Sequence, residues 1–360
     1  LRNLIKSRHI LLALFCIFLI IYSFIYYSSS ATADEEVKEY SSVISENGSV
    51  AVCFERMVDR RKVTDNALGT TTTDNPAKLL PTIYFVTPTY PRREQIAELT
   101  RLGQTLMHIP SLHWIVADDT PHCNQIVNNL LNKFGIPYTH ISSPMPDMYR
   151  SRKLVPRGVA NRRAALNWIR TNNIKSGVLY FGDDDNTFDL DLFTEIRYTK
   201  RVSMFPVGLI GDFAVSSPIV VNGKVDGFFD SWPAKRKWPV DMAGFAVNLE
   251  FLALSPNATM PFKAGYEEDE FLKSIGLKME YIEPKAKNCT EILVWHTQTN
   301  KSKPPTIKIS ESTINANNCN LGLLLKGLEK MGINRVSHKE GVKATITKDG
   351  KTKSLLSWFN

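Results

Sequence analysis

Between residues 82 and 185 the chain alternates runs rich in β-branched and aromatic residues with segments of helical period. The runs are TIYFVTPTY (82–90), LHWIVADD (112–119), YTHISS (138–143) and GVLYFGDDD (177–185). Between them, Ile96, Leu99, Leu102 and Leu106 recur at helical spacing, and NQIVNNLLNKFG (124–135) ends on the helix-stopping Gly135. GVANRRAALNWIRTNN (158–173) adds a third helix, with Ala160, Ala164, Leu166 and Trp168 among its apolar positions. This alternation predicts a parallel α/β sheet. Such sheets bind ligands beyond the carboxyl ends of their strands. The loops found there are TPTYPRR, DDTPHCN and GDDDNT.

After Phe188 the pattern changes. VGLIGDFAVSSPIVVNGKVDGFFDSW (207–232) predicts two or three antiparallel strands with a hairpin turn at Asn222-Gly223. VDMAGFAVNLEFLAL (240–254) adds a strand and a short helix, EEDEFLKSIG (267–276) a helix, and ILVWHT (292–297) a late strand. From Asn300 onward the chain is polar and basic, with one helix-like patch, LGLLLKGLEKMG (321–332), and no predicted place in the fold.

Hydrophobic content of 43% and charged content of 22% are ordinary for a globular protein. The net charge of +8 gathers at the N-terminus and in the last sixty residues. It is a weak sign of a nucleic-acid partner, and none is expected. A basic face towards an anionic substrate or membrane fits as well.

The N-terminus bears on location. Arg2, Lys6, Arg8 and His9 precede an uncharged apolar run at 10–27, and Asp34, Glu35 and Glu36 follow it. A helix of that length is about 27 Å long, enough to span a bilayer core. The positive-inside rule puts residues 1–9 in the cytosol and the rest in the lumen. A cleaved signal peptide is the alternative. The run's modest length suits a thin secretory-pathway membrane. Residues 28–80 read as a flexible stem, 81–303 as the luminal domain and 304–360 as a basic tail. Asn47, Asn257, Asn288 and Asn300 open glycosylation sequons, in keeping with that topology. Cys16 falls in the apolar run. Among Cys53, Cys123, Cys289 and Cys319 one disulfide can form, with Cys53 placed to pair between chains; the other reading leaves all four free and buried.

Three consecutive carboxylates, Asp183, Asp184 and Asp185, directly after a buried strand suit a hard cation such as Mn²⁺ or Mg²⁺. The protein need supply only one or two of the ligands if a substrate diphosphate supplies others. An Asx turn or a helix cap needs one aspartate, not three. Arg157, Arg162 and Arg163 surround a helix start, where guanidinium groups and backbone N–H groups favour phosphate; an exposed basic helix face is the other reading. Glu267 to Glu270 open a helix, where acids suit the macrodipole, and leave room for one general base. His296 lies near a strand end.

PTYPR, LHWIVADD, PRGVANRRAALNW, YFGDDDNTF, FPVGLIG, WPVDMAGFAVNL and NCTEILVWHT, in this order, resemble the animal Golgi β-1,3-glucuronyltransferases. The resemblance covers roughly residues 81–300. It implies a GT-A fold, with a Rossmann-like nucleotide-binding half and a mixed-sheet acceptor half behind one transmembrane helix. It implies a type II Golgi membrane enzyme that moves glucuronic acid from UDP-glucuronic acid to a terminal galactose, and a homodimer. Pro88, Tyr90 and Asp119 would hold uridine, and Arg157 and Arg162 would lie along the diphosphate. Asp183 to Asp185 would form the metal motif, with Asp185 the direct Mn²⁺ ligand. Glu268 falls at the catalytic base, and Trp232, Arg236 and Asp241 fall where acceptor sugars are held. His296 would approach the donor. Two positions depart from the pattern. Ser216 stands where members acting on the proteoglycan linker have a glutamate. Ala264, beside Lys263, stands where some members have an arginine for the donor carboxylate.

Overall fold

The computed structural model describes residues 37–39, 50–61, 80–232, 234–299, 303–314, 320–348 and 351–354. The expected cytosolic tail and membrane anchor (1–27), Asn47 and Asn300 lie outside them. No helix among the described residues is long and apolar enough to cross a membrane.

The predicted alternation is borne out. Strands β3 (Ile83–Thr89), β4 (Leu112–Asp118), β5 (Tyr138–Ser142) and β6 (Val178–Phe181) are parallel neighbours in the order β5-β4-β3-β6. Helices α1 (Gln95–Leu106), α2 (Gln125–Lys133), α3 (Asp147–Arg150) and α4 (Val159–Thr171) occupy the connections. Past β7 (Thr187–Phe188) and α5 (Leu190–Ile196), the sheet gains β8 (Val202–Met204), β12 (Phe245–Asn248) and β13 (Ile282–Pro284). β12 runs antiparallel to β6, so the sheet is mixed. A second, five-stranded sheet orders β11 (Lys224–Phe229), β10 (Val215–Val221), β9 (Val207–Gly208), β14 (Val294–Trp295) and β7. The predicted hairpin joins β10 to β11, with Val221 opposite Lys224.

Strand side chains alternate between faces, and both faces are apolar because helices cover both. Phe85, Trp114 and Tyr180 pack on one face with Leu99 of α1, Leu131 of α2 and Phe193 of α5. Val86, Ile115 and Phe181 pack on the other with Trp168 of α4 and Phe271. The helix carrying Phe271, α7 (Glu267–Ser274), follows the short α6 (Leu249–Ala253).

Two sequence expectations are corrected. Residues 28–80 are not all stem: β2 (Ala51–Arg56) pairs antiparallel with β5, and β1 (Val37–Glu39) pairs with β2. The apolar residues of AVCFER cover the edge of β5, and Ala51, Cys53 and Phe54 are buried. Cys53 forms a disulfide with Cys123 of the same chain, not with a second chain. The tail, for which the sequence predicted no place in the fold, is structured. β15 (Thr306–Lys308), α8 (Leu321–Lys330), β16 (Arg335–Ser337) and β17 (Val342–Lys343) form a small unit around Ile309 and Leu325, followed by the hairpin of β18 (Thr345–Lys348) and β19 (Lys351–Ser354). A cavity of about 900 Å³ lies between this unit and residues 90–96, which run from the loop after β3 into the start of α1.

Candidate active site

Because β3, β4 and β6 are parallel, their C-terminal loops converge on one edge of the sheet. There they wall a cleft of about 450 Å³. Pro88, Tyr90, Asp119, Arg157, Arg162, Asp183, Asp184, Asp185 and His296 all line it. Every residue expected around the donor is therefore in one place. Gly182 makes the turn out of β6 feasible, since a Cβ there would collide with the Phe85 and Phe188 rings.

The three aspartates have three different environments. Asp184 is buried, accepts from Thr89 Oγ1 at 2.6 Å and pairs with Arg92 Nη2 at 2.6 Å. Burial still raises its pKa. Asp183 pairs with Arg162, which is itself buried. The exposed-face reading of that arginine is thereby set aside. The Asp185 carboxylate makes no hydrogen bond or ion pair among the described residues. Burial and the charges of Asp183 and Asp184 push its pKa up to about 6. A carboxylate with no direct partner beside a cleft fits a cation whose remaining ligands come from a substrate or water. No group of three or more His, Cys, Asp or Glu among the described residues forms a closed metal cage. The donor set thus fits a shared metal site and not a self-contained one.

Two arginines escaped the sequence reading. Arg92 pairs with both Asp184 and Glu98. Arg150 pairs with Asp119 at 2.5 Å, while Met145 N donates to the same carboxylate at 2.7 Å. Arg92 lies in the PTYPR stretch, but its pairing with Asp184 spans 92 positions and that of Arg150 with Asp119 spans 31, so sequence spacing reveals neither. Arg157 is exposed on the cleft wall.

Glu268, Trp232, Arg236 and Asp241 do not line the cleft but adjoin it through contacts. Asp241 Oδ2 lies 3.4 Å from His296 Nδ1. That contact raises the His296 pKa to about 9. His296 Nε2 is 2.8 Å from the Gln298 side-chain amide. Arg236 Nη1 lies 3.9 Å from Glu268 Oε2, and its Nη2 donates to Asp230 at 2.9 Å. The same Asp230 accepts from the Trp232 backbone N–H, and Trp232 is 55% exposed. Burial, reinforced by the Asp241 charge, pushes the Glu268 pKa up to about 8. Of the departures, Ser216 is buried on β10. Lys263 lies with its Nζ 3.7 Å from the Tyr266 ring centroid and off the cleft wall. Asn257 and Asn288 are exposed, as a glycosylation site requires.

The family model for glycosyltransferase family 43 matches residues 102–300. The chain belongs to glycosyltransferase family 43. It is 57% identical over 308 residues to galactosylgalactosylxylosylprotein 3-beta-glucuronosyltransferase S of Drosophila melanogaster, covering 85% of this chain and 73% of that one. It is 49% identical to the P enzyme of that name from the same fly, over 67% of this chain and 50% of the other. It is 45% identical to the human enzyme 2, over 62% and 70%. The chain is thus a glycosyltransferase, and these relatives carry glucuronosyltransferase names. Among solved structures, residues 1–349 of S. aureus TarS match at a TM-score of 0.39 and 15% identity over 60% of each chain.

Proposed function

We propose that the chain transfers glucuronic acid from UDP-glucuronic acid to a terminal galactose in β-1,3 linkage, with inversion, on a GT-A scaffold. The observation that supports this most directly is the cleft itself. Arg157, Arg162 and Asp185, whose carboxylate has no direct partner, line a cavity sized for a nucleotide diphosphate. Uridine would rest against Pro88 and Tyr90 near Asp119. Asp185 is the residue that would hold Mn²⁺, which supplies charge neutralisation to the diphosphate when bound.

The reaction is a single displacement. The Glu268 carboxylate takes the proton from the acceptor hydroxyl. That oxygen forms a bond to the anomeric carbon while the bond from that carbon to the diphosphate oxygen breaks. UDP leaves with its charge opposed by Arg157 and Arg162. A base works best with a pKa close to the working pH, and Glu268 is held at about 8. Trp232, Arg236 and Asp241 orient the acceptor. We extend the proposal to a homodimer in the Golgi membrane, anchored by residues 10–27. The Cys53–Cys123 disulfide suits an oxidising lumen.

A second reading has its own observation. Ala264 offers no guanidinium to a donor carboxylate, and Lys263 packs on Tyr266 instead of lining the cleft. A related UDP-sugar without a carboxylate is then the donor. A non-catalytic glycan-binding relative has no physical use for Asp185 or Glu268 in these states. The deciding experiment assays the full chain with Mn²⁺, a panel of UDP-sugars and galactose-terminated acceptors. Transfer from UDP-glucuronic acid is expected; transfer only from another donor overturns the first reading. Glu268→Gln should keep UDP binding and lose turnover, and ordinary turnover removes Glu268 as the base.

A further inference from the structure

The segment between β5 and α4 makes contacts that the proposed chemistry does not use. It runs along one wall of the cleft, supplying Met145, Arg150 and Val155. Arg150 fixes it at the nucleotide end, donating to Asp119 and to Met145 O. One residue earlier the Tyr149 ring stacks on Phe262, with centroids 4.2 Å apart and planes within 8°. Arg152 lies 4.5 Å from the Tyr149 centroid and donates to Phe262 O at 3.3 Å. Arg163 of α4 lies 5.0 Å from the Phe262 centroid and donates to Met260 O at 2.8 Å. Phe262 is therefore held by three residues of the nucleotide half, although it is more than a hundred positions away from Tyr149 in sequence.

The chain just beyond Phe262 gives these contacts a purpose. Residues 263–266 are a short link, turned at Gly265 with φ of +81°, and they lead straight into α7, whose second residue is Glu268. Displacing Phe262 displaces the start of that helix. We propose that Tyr149 and Phe262 are positioning residues whose stacked rings form a strut, setting the Glu268 loop against the nucleotide cleft. This rests on the reading of Glu268 as base. Tyr149 and Arg150 are adjacent, so a nucleotide that engages Asp119 and Arg150 also sets the strut. Donor binding thereby orders the base loop.

The test combines hydrogen exchange, calorimetry and kinetics on the full chain, with UDP and Mn²⁺ as the probe. UDP should slow exchange across 262–268 in the wild type. Phe262→Ala should abolish that protection and lower kcat by on the order of tenfold to a hundredfold, the size of effect seen when a catalytic group is displaced by about an ångström. Its UDP affinity should stay within about threefold, because binding and turnover are then separately affected. Tyr149→Phe keeps the ring and should retain both protection and kcat; should Phe262→Ala not fold, Tyr149→Ala carries the same readouts as Phe262→Ala. Persisting protection or an unchanged kcat in the alanine variants overturns the strut. So does a fall in UDP affinity that matches the fall in kcat, which would mark general damage. Ordinary turnover in Glu268→Gln would remove the base alone, since UDP-induced protection of 262–268 reads the strut independently.

Discussion

Asp241→Asn probes how the site keeps its base poised. Glu268 has its pKa raised to about 8 first by burial and then by the Asp241 charge, while Arg236 at 3.9 Å opposes the shift. A general base must be ionised, so kcat/KM climbs with pH up to that value and levels off above it. The asparagine removes one negative charge at nearly constant volume. If the charge contributes about one pKa unit, roughly 1.4 kcal/mol, the acid limb moves from about 8 to about 7. The ionised fraction at pH 7 then rises from about 9% to about 50%, about a fivefold gain in active enzyme. Arg236→Gln acts in the opposite sense and moves the limb upward. The assay is kcat/KM for sugar transfer across the pH range at saturating Mn²⁺. The plateau falls in both variants because both residues are placed at the acceptor, so the position of the limb is the readout. A limb that stays in place in Asp241→Asn, or that moves the same way in both variants, refutes the reasoning.

Asp185→Asn should weaken Mn²⁺-dependent UDP binding measured by calorimetry, leaving metal-free binding unaffected; unchanged affinity with Mn²⁺ contradicts its role as ligand. The Cys53–Cys123 disulfide closes a loop with a sequence separation of 70, so replacing both cysteines by serine should cost about 4 kcal/mol in denaturant unfolding. A loss near zero would mean that β2 is held by the sheet alone. Glu268→Gln should also change stability with pH. The wild-type carboxyl has its folded pKa raised from 4.5 to about 8, so its favourable protonated state is fully present below 4.5 and is lost as pH rises through 8. The glutamine variant should therefore match the wild type in acid and exceed it by a few kcal/mol in alkaline solution. Melting curves that run parallel at every pH contradict the buried, raised carboxyl.

The parallel core could be read from sequence because each strand and helix there carries its own local signal. Phe85 and Val86 point to opposite faces, and helices cover both, so the strands appear as uninterrupted apolar runs ended by loops. β2 was hidden because it is a short strand emerging from a polar stretch, and what defines it is its partner β5, over eighty residues away. The tail unit was hidden for a similar reason: β15 pairs with β16 and β17, none longer than three residues. The same division holds in the site. Asp183 to Asp185, Arg162 and His296 stand out as residue types in motifs, and all reach one cleft. Arg92, Arg150 and Asp230 act as counterions to residues that sequence spacing does not link to them, so only the fold reveals them.

The aspartate triplet, the feature most costly in electrostatic terms, resolves into one ligand and two supports. Successive side chains leaving a strand point in different directions, so three adjacent carboxylates need not share one space. Asp184 turns inward onto Arg92 and Thr89, tying the loop to β3. Asp183 turns to Arg162 and ties the loop to α4. Asp185 is left without a direct ion pair or hydrogen bond to its carboxylate among the described residues, on a loop braced from two sides, and a rigid carboxylate with no direct partner is what an incoming cation requires. Asp184 therefore matters to the metal without touching it. Its replacement by asparagine leaves the partly buried Arg92 with Glu98 as its remaining carboxylate partner, which costs more than a lost surface pair because the guanidinium is largely screened from water. The loop loosens, and Asp185 loses its fixed position although its own side chain is unchanged.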